Sequence, residues 1–272
     1  MPNAVMIDDI TSEAMELLGG GRMVTPFSAR FPGFGLAQAY AVTARIRDLR
    51  EERRGETAVG RKIGFTNTAI WESYGIQAPI WGYMYDTTVH DLGAADVFAL
   101  AGLPEPRIEP EIALHLAQAP SAGMSEAELI DCIDWIAPAF EVVYSIFPGW
   151  KFAAADAVAA FGVHAALYLG ERRDVTADRA RWAAALAGFD VEMGNTAGVT
   201  RTGHARNVLG SPLRSLGFLI DELARYPDAD PLRAGEIVTT GTLTEAMPIS
   251  PGDIWSTRFA GADLAPLRLA FR

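Results

Sequence analysis

The segment PRIEPEIALHL, residues 106–116, decides the fold that we expect for this chain. Apart from Pro110, its even positions are apolar, and most of its odd positions are charged or polar. This period of two predicts a β-strand, in which side chains two residues apart lie on the same face. Glu109 and Glu111 therefore share a face, about 7 Å apart along the strand. Two carboxylates at that spacing repel each other, so the strand predicts a positive group close to both.

A third glutamate lies inside a second predicted strand, residues 137–145. Glu141 is flanked there by Phe140 and Val142. Hard divalent cations such as Mg²⁺ and Mn²⁺ prefer oxygen ligands in octahedral geometry and usually keep positions for water or substrate. Three carboxylates would leave about three such positions, enough to chelate a 2-oxo acid through its carboxylate and keto oxygens. The first two glutamates alone would more simply be surface or salt-bridged residues.

The remainder of the 272-residue chain predicts an α+β protein with a curled sheet. Helices are expected at residues 11–18 and 36–54, after a capping box formed by Ser125 and Glu128, at residues 153–161, and after an N-cap at Ser211. Further strands are expected at residues 58–65 and 163–170, in a hairpin with arms on either side of Gly194 and Asn195, and at residues 236–241, 253–259 and 266–271. Many strands with few intervening helices do not suggest a doubly wound parallel sheet.

Composition excludes several classes of function. A net charge of −11 argues against a nucleic-acid partner, because phosphate binding depends on clustered Lys and Arg. The N-terminus carries acids where a signal peptide needs basic residues, and no stretch approaches the roughly 18 apolar residues of a membrane span. We therefore expect a cytoplasmic protein without a membrane segment. The single cysteine, Cys132, excludes an internal disulfide and is expected to be a buried structural thiol.

Six segments, taken in order, resemble the 2-keto-4-pentenoate hydratase / 4-oxalocrotonate decarboxylase family of the fumarylacetoacetate hydrolase superfamily. They are GRKIGFTN (60–67), APIWGYMYD (78–86), PRIEPEIAL (106–114), CIDWIAPAFEVVYS (132–145), VLGSPL (208–213) and GEIVTTGTLTEAMPISPGD (235–253). The resemblance covers the chain from about Phe34 onward. It implies a mixed β-roll core of the fumarylacetoacetate hydrolase C-terminal type with a small N-terminal α/β portion. We divide the chain into an N-terminal helical portion, residues 1–60, and a catalytic domain, residues 61–272.

The resemblance also implies roles for individual residues. It makes Glu109, Glu111 and Glu141 the ligands of Mg²⁺ or Mn²⁺, Lys62 the active-site lysine, and Asp86 the acid that closes the GYMYD segment. For a hydratase, we expect Lys62 and Asp86 to move the protons. Because Lys62 lies in a largely apolar strand, we expect its charge to be used in the active site, with a structural salt bridge as the alternative. A chelating metal and this lysine would together stabilise an enolate, the intermediate shared by hydration and decarboxylation.

Some segments depart from the family pattern. Ser145 is followed by Ile146 and Phe147 where the family usually has Ser-Arg, and Phe161 replaces an asparagine in a polar run. These changes predict a more apolar pocket wall and a substrate with a bulkier or more hydrophobic substituent than the simple pentenoate. Substrate contacts are expected from Ser145, Phe161, His204, Gly241 and Thr242. For the last two, an ordinary strand end is the alternative.

The leading hypothesis is a divalent-metal-dependent hydratase of a 2-hydroxy-2,4-dienoate or 2-oxo-enoate. A 4-oxalocrotonate-type decarboxylase would use the same metal enolate, so the three acids do not separate the two reactions. Hydrolysis of a C–C bond in a β-diketone-type acid would need a general base near a water molecule, and we find no well-placed Glu-His pair. A non-catalytic scaffold would have no need of three clustered acids. The resemblance further implies a small 2-oxo acid as partner and a homo-oligomer.

Overall fold

The computed structural model describes residues 2–93 and 96–272. Its α-helices are α1 (Pro2–Leu17), α2 (Phe27–Arg30), α3 (Leu36–Arg54), α4 (Trp71–Tyr74), α5 (Glu126–Leu129), α6 (Ala154–Ala159), α7 (Arg179–Gly188) and α8 (Pro212–Leu223). Its strands are β1 (Ala58–Gly64), β2 (Ile80–Tyr85), β3 (Val89–Asp91), β4 (Val97–Phe98), β5 (Arg107–Leu116), β6 (Ile133–Val143), β7 (His164–Leu169), β8 (Arg173–Asp174), β9 (Asp190–Asn195), β10 (Thr200–His204), β11 (Ile237–Thr239), β12 (Met247–Pro248), β13 (Ile254–Ala260) and β14 (Arg268–Phe271).

The strands form two mixed sheets. The larger has the order β2-β1-β11-β5-β6-β7-β3, with β12 added to β5 and β8 added to β6. The smaller has the order β10-β9-β13-β14-β4. In the larger sheet β1 pairs with β11 and β3 with β7 in parallel, and the other pairs are antiparallel. The two long strands β5 and β6 therefore lie side by side in the middle of the larger sheet.

An apolar interior joins the helices to the sheets. Ile10 of α1, Val42 of α3 and Val158 of α6 are fully buried in one cluster with residues of β1 and β2. Phe140 of β6 is buried in a second cluster together with Trp255 of the smaller sheet. The α+β prediction with a mixed, curled sheet is confirmed. The division of the chain at residue 60 stays a prediction.

Several local predictions are confirmed by cap geometry. Helix α3 ends as expected at Gly55, whose φ of 66° is the left-handed conformation that glycine adopts at low cost. The capping box of Ser125 and Glu128 is formed. The Ser211 hydroxyl accepts the N–H of Arg214 at the start of α8. Cys132 is buried as a free thiol.

Two boundaries differ from the predictions. The helix after Ser125 ends at Leu129, and β6 begins at Ile133 rather than at residue 137, because Ile133 pairs with Leu116 of β5. The pattern of a short apolar run does not reveal such long-range pairing. The hairpin β9–β10 is confirmed, but residues 194 and 195 lie within β9 and the turn follows them. No helix was predicted for α7, although Asp178 caps it by accepting the N–H of Arg181.

Within the part of the chain that the structure describes, no helix has both the length and the apolar character needed to cross a membrane.

Candidate metal centre and active-site cleft

Three glutamates converge on the paired strands β5 and β6. Glu109 of β5 lies directly opposite Glu141 of β6 in the antiparallel register, and Glu111 follows two residues along on the same face. One carboxylate oxygen from each of the three lies within 4.8 Å of the others. Glu111 and Glu141 are fully buried, and Glu109 is partly exposed. The shared face predicted for the β5 glutamates is confirmed, and the structure adds Glu141 to it.

The electrostatics of this cluster fit a divalent cation. Burial raises the pKa of Glu111 well above its ordinary value, and the neighbouring glutamates raise it further. Burial raises the pKa of Glu109 to about 7, although Lys62 opposes the shift. Among the described residues, Oε1 of Glu111 has no hydrogen-bond partner, and Oε2 of Glu141 has none apart from its ion pair with Lys62. A hard cation such as Mg²⁺ or Mn²⁺ would supply the missing partner and remove the repulsion between the carboxylates.

Lys62 of β1 lies beside the glutamates and is almost completely buried. Its Nζ is 3.2 Å from Oε2 of Glu141 and donates a hydrogen bond to the carbonyl oxygen of Gly162, also at 3.2 Å. Burial lowers the pKa of this amine, but attraction to Glu141, Glu109 and Glu111 outweighs burial and raises the pKa above its ordinary value. Lys62 therefore carries a positive charge at the edge of the metal centre.

His164 is a part of the site that the sequence analysis missed. It is the first residue of β7, and its Nδ1 lies 2.8 Å from Oε1 of Glu141. Its Nε2 lies 3.0 Å from the hydroxyl oxygen of Thr88, so both ring nitrogens have partners. Burial lowers the pKa of His164 below its ordinary value, which favours a neutral ring with its proton on Nδ1. A polar residue opening an otherwise apolar strand was the available signal in the sequence.

Gly241 holds Glu111 in place. Its backbone N–H donates to Oε2 of Glu111 at 2.9 Å. Its φ of 96° suits glycine, and a Cβ at this position would lie 2.2 Å from Oγ1 of Thr66. Gly241 therefore lies at the carboxylate cluster through its backbone N–H, and its substrate contact stays a prediction.

The metal centre opens into a cleft of about 580 Å³. Glu109 and Thr242 both line it, and the substrate contact expected of Thr242 stays a prediction. The remaining lining residues are Phe65, Thr66, Asn67, Arg107, Trp150, Thr202, Asn207, Thr244, Glu245 and Ala246. Substrate entering this cleft would meet the carboxylate cluster through Glu109.

The structure does not bring Asp86 to the cluster. Lys62 pairs with Gly82 across β1 and β2, and Asp86 follows the end of β2, about 13 Å further along the strand. The Asp86 carboxylate is exposed and accepts the backbone N–H of Thr57 at 3.0 Å. Its observed position is that of a turn residue, so the predicted proton-transfer role has no geometric support here.

Three predicted substrate contacts also lie away from the cleft. Ser145 is buried in a turn, where its hydroxyl donates to the carbonyl oxygen of Phe147 at 2.7 Å. The Phe161 side chain lies in the main apolar cluster. His204 lines a neighbouring pocket, and its Nδ1 accepts the backbone N–H of Arg206 at 3.0 Å. Ile146, Phe147 and Phe161 are core residues in this structure and do not line the cleft, so they do not form the predicted apolar wall.

Comparisons with known proteins place the chain in a family. No family model matches it. It is 30% identical to a 2-keto-4-pentenoate hydratase of Burkholderia vietnamiensis, with 97% of each chain covered. It is 32% identical to a 4-oxalocrotonate decarboxylase of Pseudomonas putida, over 85% of this chain and 84% of that one. The structure of 4-oxalocrotonate decarboxylase from Pseudomonas putida G7, complexed with magnesium and adipate, matches with a TM-score of 0.86 at 27% identity, covering 97% of this chain and 98% of that one.

These similarities cover 85% to 97% of the chain. The resemblance noted in the sequence is thus confirmed: the chain belongs to the 2-keto-4-pentenoate hydratase / 4-oxalocrotonate decarboxylase family.

Proposed function

We propose that the protein is a divalent-metal-dependent lyase of 2-oxo acids, and that its leading reaction is the addition of water to a 2-hydroxy-2,4-dienoate. The observation that carries the proposal is the convergence of Glu109, Glu111 and Glu141 with the buried Lys62 beside an open cleft. Membership of a family of hydratases and decarboxylases supports the reaction class.

The three glutamates would hold Mg²⁺ or Mn²⁺. Bound there, the cation would act as a Lewis acid on the carboxylate and 2-oxo oxygens of the substrate. Lys62 remains protonated because of the glutamates, so its ammonium group can stabilise negative charge that develops on the 2-oxygen. Gly241 and His164 hold Glu111 and Glu141 in place through the hydrogen bonds described above. This fixed arrangement reduces the reorganisation needed when the enolate forms.

Hydration then requires two proton movements on the substrate. The dienol is ketonised by loss of its 2-hydroxyl proton and gain of a proton at C5, which gives a conjugated 2-oxo-3-enoate. Water next adds at C4 while a proton is delivered to C3, so that one water molecule is consumed in total. Lys62 is the buried ammonium group at this site and is our candidate for moving these protons.

Decarboxylation of a 4-oxalocrotonate-type acid is the second candidate. Breaking the C5–C6 bond releases CO₂ and sends the bond electrons through the conjugated chain to the 2-oxygen. This step needs an electron sink but no second acid to activate water, and Asp86 lies away from the cluster. The position of Asp86 is therefore the specific observation that favours this alternative.

Hydrolysis of a C–C bond is less well supported. A Glu-His pair does exist, contrary to the sequence analysis, because His164 contacts Glu141. Its other ring nitrogen contacts Thr88, which leaves no nitrogen to activate a water molecule. Assembly into a homo-oligomer and a cytoplasmic location stay predictions.

The test is a paired turnover assay on metal-stripped protein. With Mg²⁺ restored, we expect 2-hydroxypenta-2,4-dienoate to be consumed with formation of a 4-hydroxy-2-oxo acid, and EDTA to stop the reaction. Glu141→Gln should reduce turnover at least 100-fold, whereas Glu245→Gln, which removes a charge from the same cleft outside the cluster, should not. CO₂ release from 4-oxalocrotonate without hydration would assign the decarboxylase instead. No metal-dependent turnover of either acid would contradict the proposal.

A further inference from the structure

His164, which contacts Glu141, also contacts a turn outside the metal centre. The turn joins β2 to β3, and Thr88 is its last residue. Oγ1 of Thr88 lies 3.0 Å from Nε2 of His164, while Nδ1 of the same ring lies 2.8 Å from Oε1 of Glu141. His164 is buried and Thr88 is half-buried, so the contact is largely shielded from water. One imidazole ring therefore connects a hydroxyl group of the turn to a carboxylate of the metal centre.

Thr88 is held in place by its backbone and by its side chain. Its N–H donates to the carbonyl oxygen of Tyr85 at 2.8 Å, and its carbonyl oxygen accepts the N–H of Leu167 at 2.8 Å. Leu167 lies opposite Glu141 in the pairing of β6 with β7. Oγ1 of Thr88 also accepts the backbone N–H of Tyr85 at 3.1 Å. The hydroxyl oxygen therefore has a defined position relative to the strands that carry His164 and Glu141.

The protons available to these groups decide the direction of each hydrogen bond. A carboxylate that binds a cation carries no proton, so Nδ1 of His164 must donate to Glu141. A positively charged ring would be repelled by Lys62 and by a divalent cation, and a neutral ring has one N–H, so Nε2 must accept. Among the described residues, Oγ1 of Thr88 is the group that contacts Nε2. Its one proton is therefore directed to Nε2 and not to the carbonyl oxygen of Tyr85, which lies 3.1 Å away.

We propose that Thr88 is a positioning residue for the metal centre: its hydroxyl donates to Nε2 of His164 and so holds the ring in the orientation in which Nδ1 donates to Glu141. Oε1 of Glu141 is then occupied by His164, while Oε2 stays beside Lys62 at 3.2 Å. Groups that orient a metal ligand without touching the metal typically change metal affinity about 10- to 100-fold when they are removed. This inference rests on the proposed function, because it takes Glu141 to be a ligand of Mg²⁺ or Mn²⁺.

The first test observes the His164 ring in the metal-free protein. The chain has four histidines, so with ¹⁵N-labelled histidine the His164 signals are identified by their loss in His164→Gln. At pH 8, two-bond ¹H–¹⁵N spectra should show a protonated Nδ1 and an unprotonated Nε2 in wild type. Thr88→Val removes the hydroxyl and should move the Nε2 signal downfield, to the range of a ring nitrogen without a donor. Thr88→Ser keeps the hydroxyl and should retain the wild-type signal.

The second test measures Mg²⁺ affinity by calorimetry on the full-length chain. Thr88→Val should bind Mg²⁺ about tenfold more weakly than wild type, and Thr88→Ser should bind it within about twofold of wild type. Thr87→Val is the matched control, because Thr87 lies in the same turn and is exposed; its affinity should equal that of wild type. In a His164→Gln background, Thr88→Val should change the affinity less than about twofold, because its effect acts through the ring.

Three results would overturn the inference. A proton on Nε2 in wild type excludes the proposed direction of the hydrogen bonds, and this result needs no Thr88 variant to fold. Unchanged Mg²⁺ affinity in Thr88→Val, or an equal loss in Thr88→Ser, excludes the role of the hydroxyl. An equal loss in the His164→Gln background would show that Thr88 acts through the turn and not through the ring. In each of these cases wild type still binds Mg²⁺ and the proposed function stands. If wild type binds no Mg²⁺, the proposed function fails, and the metal role of Thr88 fails with it.

Discussion

Replacing Glu109 by glutamine should stabilise the metal-free protein at alkaline pH. The pKa of Glu109 is raised from 4.5 to about 7 by burial, so the folded protein binds a proton that the unfolded chain has released. Stability therefore falls as pH rises from about 4.5 through 7 and is constant above that. A difference of 2.5 pKa units corresponds to up to about 3 kcal/mol at pH 8. Glutamine does not ionise and avoids this cost.

The assay is urea unfolding in EDTA, followed by tryptophan fluorescence at pH 5 and pH 8. Glu109→Gln should exceed wild type by up to about 3 kcal/mol at pH 8 and by little at pH 5. With excess Mg²⁺ at pH 8, wild type gains stability from metal binding and the variant gains much less, so the order is reversed.

The control is Glu245→Gln, because Glu245 lines the same cleft but is exposed and outside the cluster. Its free energy of unfolding should stay within about 0.5 kcal/mol of wild type in EDTA. The reasoning is refuted if Glu109→Gln is less stable than wild type at pH 8 in EDTA. A gap of the same size at pH 5 and pH 8 would refute it equally, since the cost would then not be ionisation.

Three further substitutions test the rest of the site. Lys62→Met should lower turnover at least 100-fold but leave Mg²⁺ binding, measured by calorimetry, intact. The reason is that the Lys62 amine assists the reaction and repels the cation. Loss of Mg²⁺ binding in this variant would be inconsistent with that role. His164→Gln should weaken Mg²⁺ about 10- to 100-fold by releasing Glu141. An unchanged Mg²⁺ affinity would show that the contact is not needed. Asp86→Asn should leave kcat within about twofold, because its carboxylate is an exposed turn acceptor. A 100-fold fall in kcat would return Asp86 to the active site.

The sequence was sufficient for the parts of the site that depend on local periodicity. The alternation in β5 places Glu109 and Glu111 on one face, whatever the strand pairs with. The pairing that brings Glu141 opposite Glu109 depends on contacts about 30 residues apart along the chain, which periodicity does not encode. The family resemblance assigned Glu141 and Lys62 to the site, because proteins that share one fold place matching sequence positions at matching points in the structure.

The predicted locations of other residues were wrong, because a sequence motif gives a residue's position along the chain but not the direction of its side chain. Asp86 closes a segment that resembles the family, yet the length of β2 carries it away from Lys62. Ile146 and Phe147 come shortly after Glu141 in the sequence, but both residues are buried in the core.

The central claim is that the three glutamates of β5 and β6 bind one divalent cation. Anomalous diffraction from crystals of the protein grown with Mn²⁺ measures this directly. We predict a single strong peak coordinated by carboxylate oxygens of Glu109, Glu111 and Glu141, at a distance of about 2 Å from each, and no such peak at this position in crystals of Glu111→Gln. Ordered carboxylates with no peak between them at saturating Mn²⁺, or a manganese ion bound elsewhere, would contradict the account.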